Sequence, residues 1–402
     1  MLCTGQSNMQ IPTWFADNAS AELPAAEWPL IRIAQVQRSW AATTPQADTP
    51  FSISWVAVNP DSISQFSALC YYFGRELFLR LGGQVPIGLI EADQGGTYIE
   101  SFMPEMALAH CNTTGKRPAD WLPVGPLGPQ TLDPWGEQNT PAALWNTMLS
   151  PLRALNLKLV LYDQAEHNLA TRESRVYRCL QNQLVGVLRQ AWGAALTFHL
   201  IQLPSFNMSE FAYTFVDSLG EMRLSQIGTI KDLIGVTTTV TIDLADLHSP
   251  WGSVHNRQKQ IVGRRAALHA LATGYGQHGL NTGPTLLSAI RQNTSLALRI
   301  VSHGGSFVGA NDCIQCCNQS AFETSTDDKT WTRVRADKVS AGPDPTNATV
   351  FDISLMGAVP LGATLWLRYA YDDLIQCLFV DANGIPLPPF RICLKLDDVG
   401  HG

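Results

Sequence analysis

Four short apolar runs punctuate the chain between residues 85 and 242, and stretches of helical periodicity separate them. The runs are Val85–Ala92 (VPIGLIEA), Leu157–Tyr162 (LKLVLY), Thr197–Leu203 (TFHLIQL) and Gly235–Ile242 (GVTTTVTI). Short, Val/Ile/Leu-rich strands without clean polar alternation are buried on both faces, as in a parallel sheet covered by helices. Phe66, Leu69, Cys70, Phe73, Leu77 and Leu81 recur at helical spacing, and Gly82-Gly83 ends that run. Val176–Trp192 and Arg257–Ala272 carry two more helices. The alternation predicts an α/β fold: a three-layer αβα sandwich around a parallel sheet.

The pattern changes after Gly283. Leu296–Val301, Thr349–Ile353 and Thr364–Tyr371 are short alternating runs divided by Gly, Pro and Asp turns, which predicts a small all-β domain. The expected division is therefore 1–283 and 284–402. Residues 112–141, rich in Pro, Gly and Thr, read as a long surface loop.

In open parallel sheets, ligand sites form beyond the C-terminal ends of strands. Four polar clusters are expected there. Gly5-Gln6-Ser7-Asn8-Met9 places a serine at a strand-to-helix turn, Gly95-Gly96-Thr97 follows the Val85–Ala92 run, and Gln164-Ala165-Glu166-His167-Asn168 follows Leu157–Tyr162. Ser253-Val254-His255 comes after the last run and just before a helix. Taken singly, each has a plainer use: a helix cap, a tight turn, a solvated loop, a structural histidine. Their order, with a hydroxyl, glycine N–H groups, a side-chain amide and an imidazole, matches the needs of acyl transfer.

With 27 basic and 34 acidic residues the net charge is −7 and carries no long run of one sign, which argues against nucleic acid or an acidic membrane surface as partner. No apolar stretch approaches the ~20 residues needed to span a bilayer. Nine cysteines include Cys313, Cys316 and Cys317, whose single CxxC lacks a second half, so no metal site is expected. Disulfides are the alternative, with one cysteine left over. Six N-x-S/T triplets, at Asn18, Asn112, Asn207, Asn293, Asn318 and Asn347, point the same way, to the secretory pathway, lysosome or extracellular space. Met1-Leu2-Cys3-Thr4 shows no leader, and only these four residues precede Gly5. A strand usually takes ~5–6 residues. The chain is thus expected to begin inside its first strand.

Gly5-Gln6-Ser7-Asn8-Met9 and Gly88-Leu89-Ile90 through Gly95-Gly96-Thr97-Tyr98-Ile99-Glu100 resemble the first two blocks of SGNH-type hydrolases, and within them the sialate O-acetylesterase family. Leu144–Leu152 resembles that family's segment before the third block. Asp243-Leu244, Ser249–His255, Arg257, Lys259 and Gln260 resemble its histidine block, and Ile385–Ile392 fits its β appendage. The resemblance spans nearly the whole chain. It implies a flavodoxin-like catalytic domain and hydrolysis of O-acetyl groups from sialic acids, with another acetylated carbohydrate or a non-catalytic glycan binder as alternatives. It implies Ser7 as nucleophile and His255 as base. The oxyanion hole would comprise the Ser7 and Gly96 N–H groups with the Gln164 side chain. Glu166, Asn168, Asp243 and Asp246 would support the site, and Gln6, Asn8 and Arg257 would bind substrate. No cofactor is required.

Three departures from the family pattern matter. Gly252 stands three residues before His255, where many SGNH enzymes carry Asp, so a backbone carbonyl is a candidate to orient the imidazole. Ala165 replaces a glycine and is strained if that position needs φ > 0. Asp163 adds a carboxyl near the expected oxyanion.

Overall fold

Seven strands, β1 (Leu2–Gly5), β2 (Trp28–Val36), β3 (Phe51–Val58), β4 (Ile87–Asp93), β5 (Leu159–Asp163), β6 (Thr197–Ile201) and β7 (Val236–Thr239), form one sheet in the order β3-β2-β4-β1-β5-β6-β7. The computed structural model describes residues 1–111, 136–171, 174–211, 217–292, 295–309, 320–343, 349–356 and 364–395. Most of the expected 112–141 loop, the cysteines at 313, 316 and 317, and Asn112, Asn293, Asn318 and Asn347 lie outside the described residues.

Every pairing in this sheet is parallel except β2 with β3, which is antiparallel. β1 is only four residues long, yet all four are buried and pair with β4 on one side and β5 on the other. Leu2, Leu89, Ile90, Leu159, Val160, Leu161, Phe198 and Leu200 are fully or almost fully buried, the signature of strands covered on both faces. β2 and β3 escape the simple alternation of strand and helix. Pro29 interrupts the β2 run, and the edge strand β3 leaves Trp55 and Val56 exposed.

The helices that flank the sheet and carry the site include α1 (Ser7–Gln10), α2 (Ala68–Arg80), α3 (Ser174–Trp192), α4 (Leu219–Asp232) and α5 (Lys259–Gly274). α2 packs against α5, and α3 against α4. The periodicity locates α2, α3 and α5, but not α4. That helix buries Arg223, Gln226 and Thr229, and polar residues give no apolar stripe to read. Two disulfides tie the layer together: Cys3 of β1 with Cys70 of α2, and Cys111 with Cys179 of α3. Cys377 is also disulfide-bonded, whereas Cys393 is a free, exposed thiol.

The chain divides into two units. One comprises Met1–Leu203, Asn207–Thr239 and Asp246–Leu280; the other comprises Pro204–Phe206, Val240–Ala245 and Asn281–Gly402. A single cut at 283 therefore misses two short segments that the second unit takes from earlier in the chain. The Gly235–Ile242 run shows why. Val236–Thr239 completes the parallel sheet, while Val240 and Ile242 enter a separate core with Leu298, Phe322, Leu367, Tyr369 and Phe390. That second unit is antiparallel. Its strands are β8 (Thr285–Gln292), β9 (Ser295–Ser302), β10 (Ser306–Gly309), β11 (Phe322–Ser325), β12 (Thr332–Pro343), β13 (Thr349–Met356), β14 (Thr364–Tyr369), β15 (Cys377–Val380) and β16 (Phe390–Lys395). They form a seven-stranded sheet in the order β16-β14-β11-β12-β13-β9-β8 and a β10–β15 pair. In β14, buried Leu365, Leu367 and Tyr369 alternate with half-buried Thr364, Trp366 and Arg368, the period-2 pattern of a sheet with one covered face.

Candidate active site

Ser7 opens α1 directly beyond the C-terminal end of β1, and local backbone geometry explains how it gets there. Gly5 has φ +137, and a Cβ at this position would sit 2.0 Å from the Asp163 carbonyl oxygen. Only glycine lets β1 turn this closely against β5. The Gln6 N–H then donates to that same carbonyl at 2.9 Å. Ser7 is half-buried, while Gln6 and Asn8 on either side are almost fully buried.

Glu166 holds both neighbours of Ser7. Its carboxylate accepts from Gln6 Nε2 and from Asn8 Nδ2, the latter at 2.5 Å. Asn8 also donates to the Val254 carbonyl at 2.8 Å and accepts from the buried Lys259 Nζ at 2.9 Å. The serine turn is thus pinned to the residue immediately before His255. Gln6 and Asn8, read from the sequence as substrate ligands, instead spend their amides inside this network.

His255 is oriented by its own loop. Nδ1–H donates to the Trp251 carbonyl at 2.7 Å. A carbonyl can only accept, so Nδ1 carries the proton and the Nε2 lone pair is left for base chemistry. Burial lowers the imidazole pKa below its ordinary value, against the opposing pull of the Trp251 bond and of Glu166. Asp246 does not take the orienting place. It grips the Arg257 guanidinium at 2.6 and 2.9 Å, which also draws Arg257 away from a free substrate-binding role. Ser253 steadies the histidine loop through Glu210, whose carboxylate accepts from its N–H and Oγ at 3.1 and 2.9 Å.

The glycine turn lies against the serine. A Cβ at Gly95 would come within 3.4 Å of Ser7 Cβ, so Gly95 faces the serine, and its N–H is taken by Gln10 Oε1 at 2.7 Å. Gly96, at φ +67, directs its carbonyl to Asn139 Nδ2 at 3.0 Å. Among the described residues, neither the Ser7 N–H nor the Gly96 N–H has a protein acceptor.

Gln164 does not present its amide to this space. It is buried, and its Nε2 donates to the Thr97 carbonyl and to Asn168 Oδ1, both at 2.8 Å, while Oε1 accepts from Tyr177 at 2.5 Å. Both amide hydrogens are committed, which corrects the expectation that Gln164 donates to the oxyanion. Asn168 continues the brace, donating to Glu100 at 3.1 Å and accepting from the Ile99 N–H at 3.1 Å. Ala165 has φ +155 and is fully buried, a backbone conformation that disfavours a side chain. Burial pushes the Asp163 carboxyl up to about 8, with Lys259 pulling down and Glu166 pushing further up. At neutral pH it therefore carries less negative charge than an ordinary aspartate.

Sequence reasoning missed several braces. Asn139 secures the glycine turn by donating to Gly96 and accepting from the Tyr98 N–H at 2.9 Å. Lys259 was visible only as part of the histidine block, and Tyr177 only as a helix residue. Arg38, after β2, bridges the buried carboxyls of Glu91 and Asp93 at 2.9 Å each, beyond the reach of any local pattern. The described residues hold no group of three or more His, Cys, Asp or Glu arranged to bind a metal ion.

Sheet, turn and loop together define a class: α/β proteins that carry a serine and a histidine at the C-terminal edge of a parallel sheet. No family model matches the chain. It is similar to sialate O-acetylesterase of Rattus norvegicus, 30% identical over 317 residues that cover 69% of this chain and 57% of that protein. The Homo sapiens sialate O-acetylesterase is 29% identical, and the match covers 100% of this chain and 76% of that one. The chain thus spans little more than half of the rat relative's length and about three quarters of the human one. The crystal structure of a carbohydrate acetylesterase from Xanthomonas citri superposes with a TM-score of 0.74 at 23% identity, covering 97% of this chain and 79% of that one. The chain is thus similar to sialate O-acetylesterases, the family its sequence blocks resemble.

Proposed function

We propose that this protein is a carboxylic ester hydrolase that removes O-acetyl groups from carbohydrate, with sialic acid as the leading sugar, on an SGNH-type three-layer αβα domain. The observation that carries the reading is the hub at Asn8. It joins the serine turn, Glu166, Lys259 and the carbonyl preceding His255 into one buried unit, with half-buried Ser7 and His255 at its margin. Such a frame costs desolvation of several charged and polar groups, and it is intelligible as preorganisation of a reactive pair.

In this mechanism His255 Nε2 takes the proton of Ser7 Oγ as the oxygen attacks the acetyl carbonyl. The Ser7 and Gly96 N–H groups, without protein acceptors among the described residues, stabilise the oxyanion. His255 then protonates the departing sugar oxygen. Water, deprotonated by the same nitrogen, releases acetate from the acyl-enzyme. Gln164 acts through Thr97, whose carbonyl it holds, and not as a donor itself.

The partner is an acetylated sugar. Among the described residues no helix is long and apolar enough to cross a membrane. The disulfides support an oxidising compartment, and we place the protein in the secretory pathway. The test is acetate release from 9-O-acetyl sialic acid and from acetylated xylan by wild type, Ser7→Ala and His255→Ala. Both variants are expected to lose at least ~10³-fold in rate. Acetate release that survives either substitution contradicts the mechanism, and preference for xylan moves the activity to another sugar.

A further inference from the structure

Trp251 contributes more to the molecule than the carbonyl that orients His255. The residue is 44% exposed, as is Trp14, and the rings of both meet that of buried Phe15. Phe15 stacks on Trp251 with centroids 3.8 Å apart and planes 15° from parallel. Trp14 stands nearly perpendicular to both, 5.7 Å from Phe15 and 5.6 Å from Trp251. Those two distances are almost equal, so Trp14 lies beside the stack. A ring laid on the outer face of Trp251 would be far more distant from Phe15 than from Trp251. The face of Trp251 turned away from Phe15 is therefore not covered by Trp14.

The cluster is anchored to the histidine loop at both ends. Trp251 precedes His255 by four residues and bonds to its imidazole. The segment carrying Trp14 and Phe15 is tied two residues beyond it, where the Asp17 N–H donates to the Arg257 carbonyl at 3.0 Å. Single exposed aromatics are ordinary, but three rings in contact beside a reactive pair, two of them half in solvent, form a surface patch that calls for an occupant.

We propose that the open face of Trp251, walled by Trp14, is a stacking subsite for a pyranose ring of the acetylated glycan. The weakly positive C–H face of a sugar ring complements the negative face of an indole, and its equatorial hydroxyls stay in water. The inference rests on the esterase reading for its choice of ligand. Attachment of the platform to the histidine loop favours the substrate sugar over a protein or a lipid as occupant.

The test separates binding from chemistry. Calorimetric titration of 9-O-acetylated sialyl-lactose into the Ser7→Ala protein measures glycan affinity without turnover. Adding Trp251→Ala is expected to weaken binding about tenfold, Trp14→Ala to weaken it severalfold, and Trp251→Tyr to retain most of the affinity. Trp251→Ala keeps the backbone carbonyl that holds His255. If it fails to fold, the Trp14→Ala and Trp251→Tyr arms decide. Equal affinity across the folded variants, or no binding by the Ser7→Ala parent, overturns the subsite. Absence of acetate release by wild type alongside tryptophan-dependent binding would instead defeat the esterase reading and leave the subsite standing.

Discussion

The Nδ1–H of His255 donates to the Trp251 carbonyl at 2.7 Å, so a backbone oxygen orients this imidazole. Burial depresses its pKa, and in the proposed mechanism His255 serves as general base only in its neutral form. The sign follows directly: a lowered pKa keeps the base neutral to lower pH. The acid limb of kcat/KM is expected below the ordinary histidine value of ~6.5. A pH profile on p-nitrophenyl acetate whose acid limb falls at 7 or above would contradict this.

Glu166 accepts hydrogen bonds from the residues on both sides of Ser7. In Glu166→Gln one carboxylate oxygen becomes an N–H donor facing another donor. That change is expected to cost about 2–3 kcal/mol of stability, as for loss of a hydrogen bond to a buried charge. It should also lower kcat by at least ~10-fold, because Ser7 loses its fixed position. Denaturant unfolding with single-turnover kinetics checks both; an unaltered kcat would detach Glu166 from the serine.

Ala165 is buried at φ +155, where only glycine is at ease. Backbone strain there costs ~1–3 kcal/mol, partly offset by the greater unfolded-state entropy of glycine. Ala165→Gly is expected to stabilise the protein by about 1 kcal/mol in urea unfolding. A neutral or destabilising result would mean that the surrounding braces have already absorbed the strain.

The Cys3–Cys70 bridge fastens the short central strand β1 to α2 across 67 residues of sequence. Chain entropy puts the value of closing such a loop at about 4 kcal/mol. The Cys3→Ser/Cys70→Ser double variant is expected to lose that much stability, and with it the serine turn that β1 carries. Thermal unfolding with and without the bridge measures the effect, and a fall in Tm below a degree would show that hydrogen bonding alone holds β1.

How much of this was legible before folding differs from element to element. β4, β5 and β6 stand out because strands covered on both faces must be apolar throughout, and α2, α3 and α5 because they bury apolar faces. β2 and β3 form an edge hairpin that breaks the alternation, and α4 is buried through Arg223, Gln226 and Thr229. No periodicity marks such elements. Val240 and Ile242 read as the continuation of a strand, since composition does not reveal which core a side chain enters.

The site divides along the same line. The chain by itself determines the order of the serine, glycine, amide and histidine clusters, and the misfit of Ala165, because motifs and backbone preferences are local. Only the tertiary structure decides that Gln6 and Asn8 face Glu166 and that Gln164 is spent on Thr97 and Asn168. It alone places a carbonyl, and not Asp246, against His255. Glu166 lies 160 residues from Gln6 and 158 from Asn8, and partners so far apart are chosen by which strand ends lie side by side, a choice that belongs to sheet order.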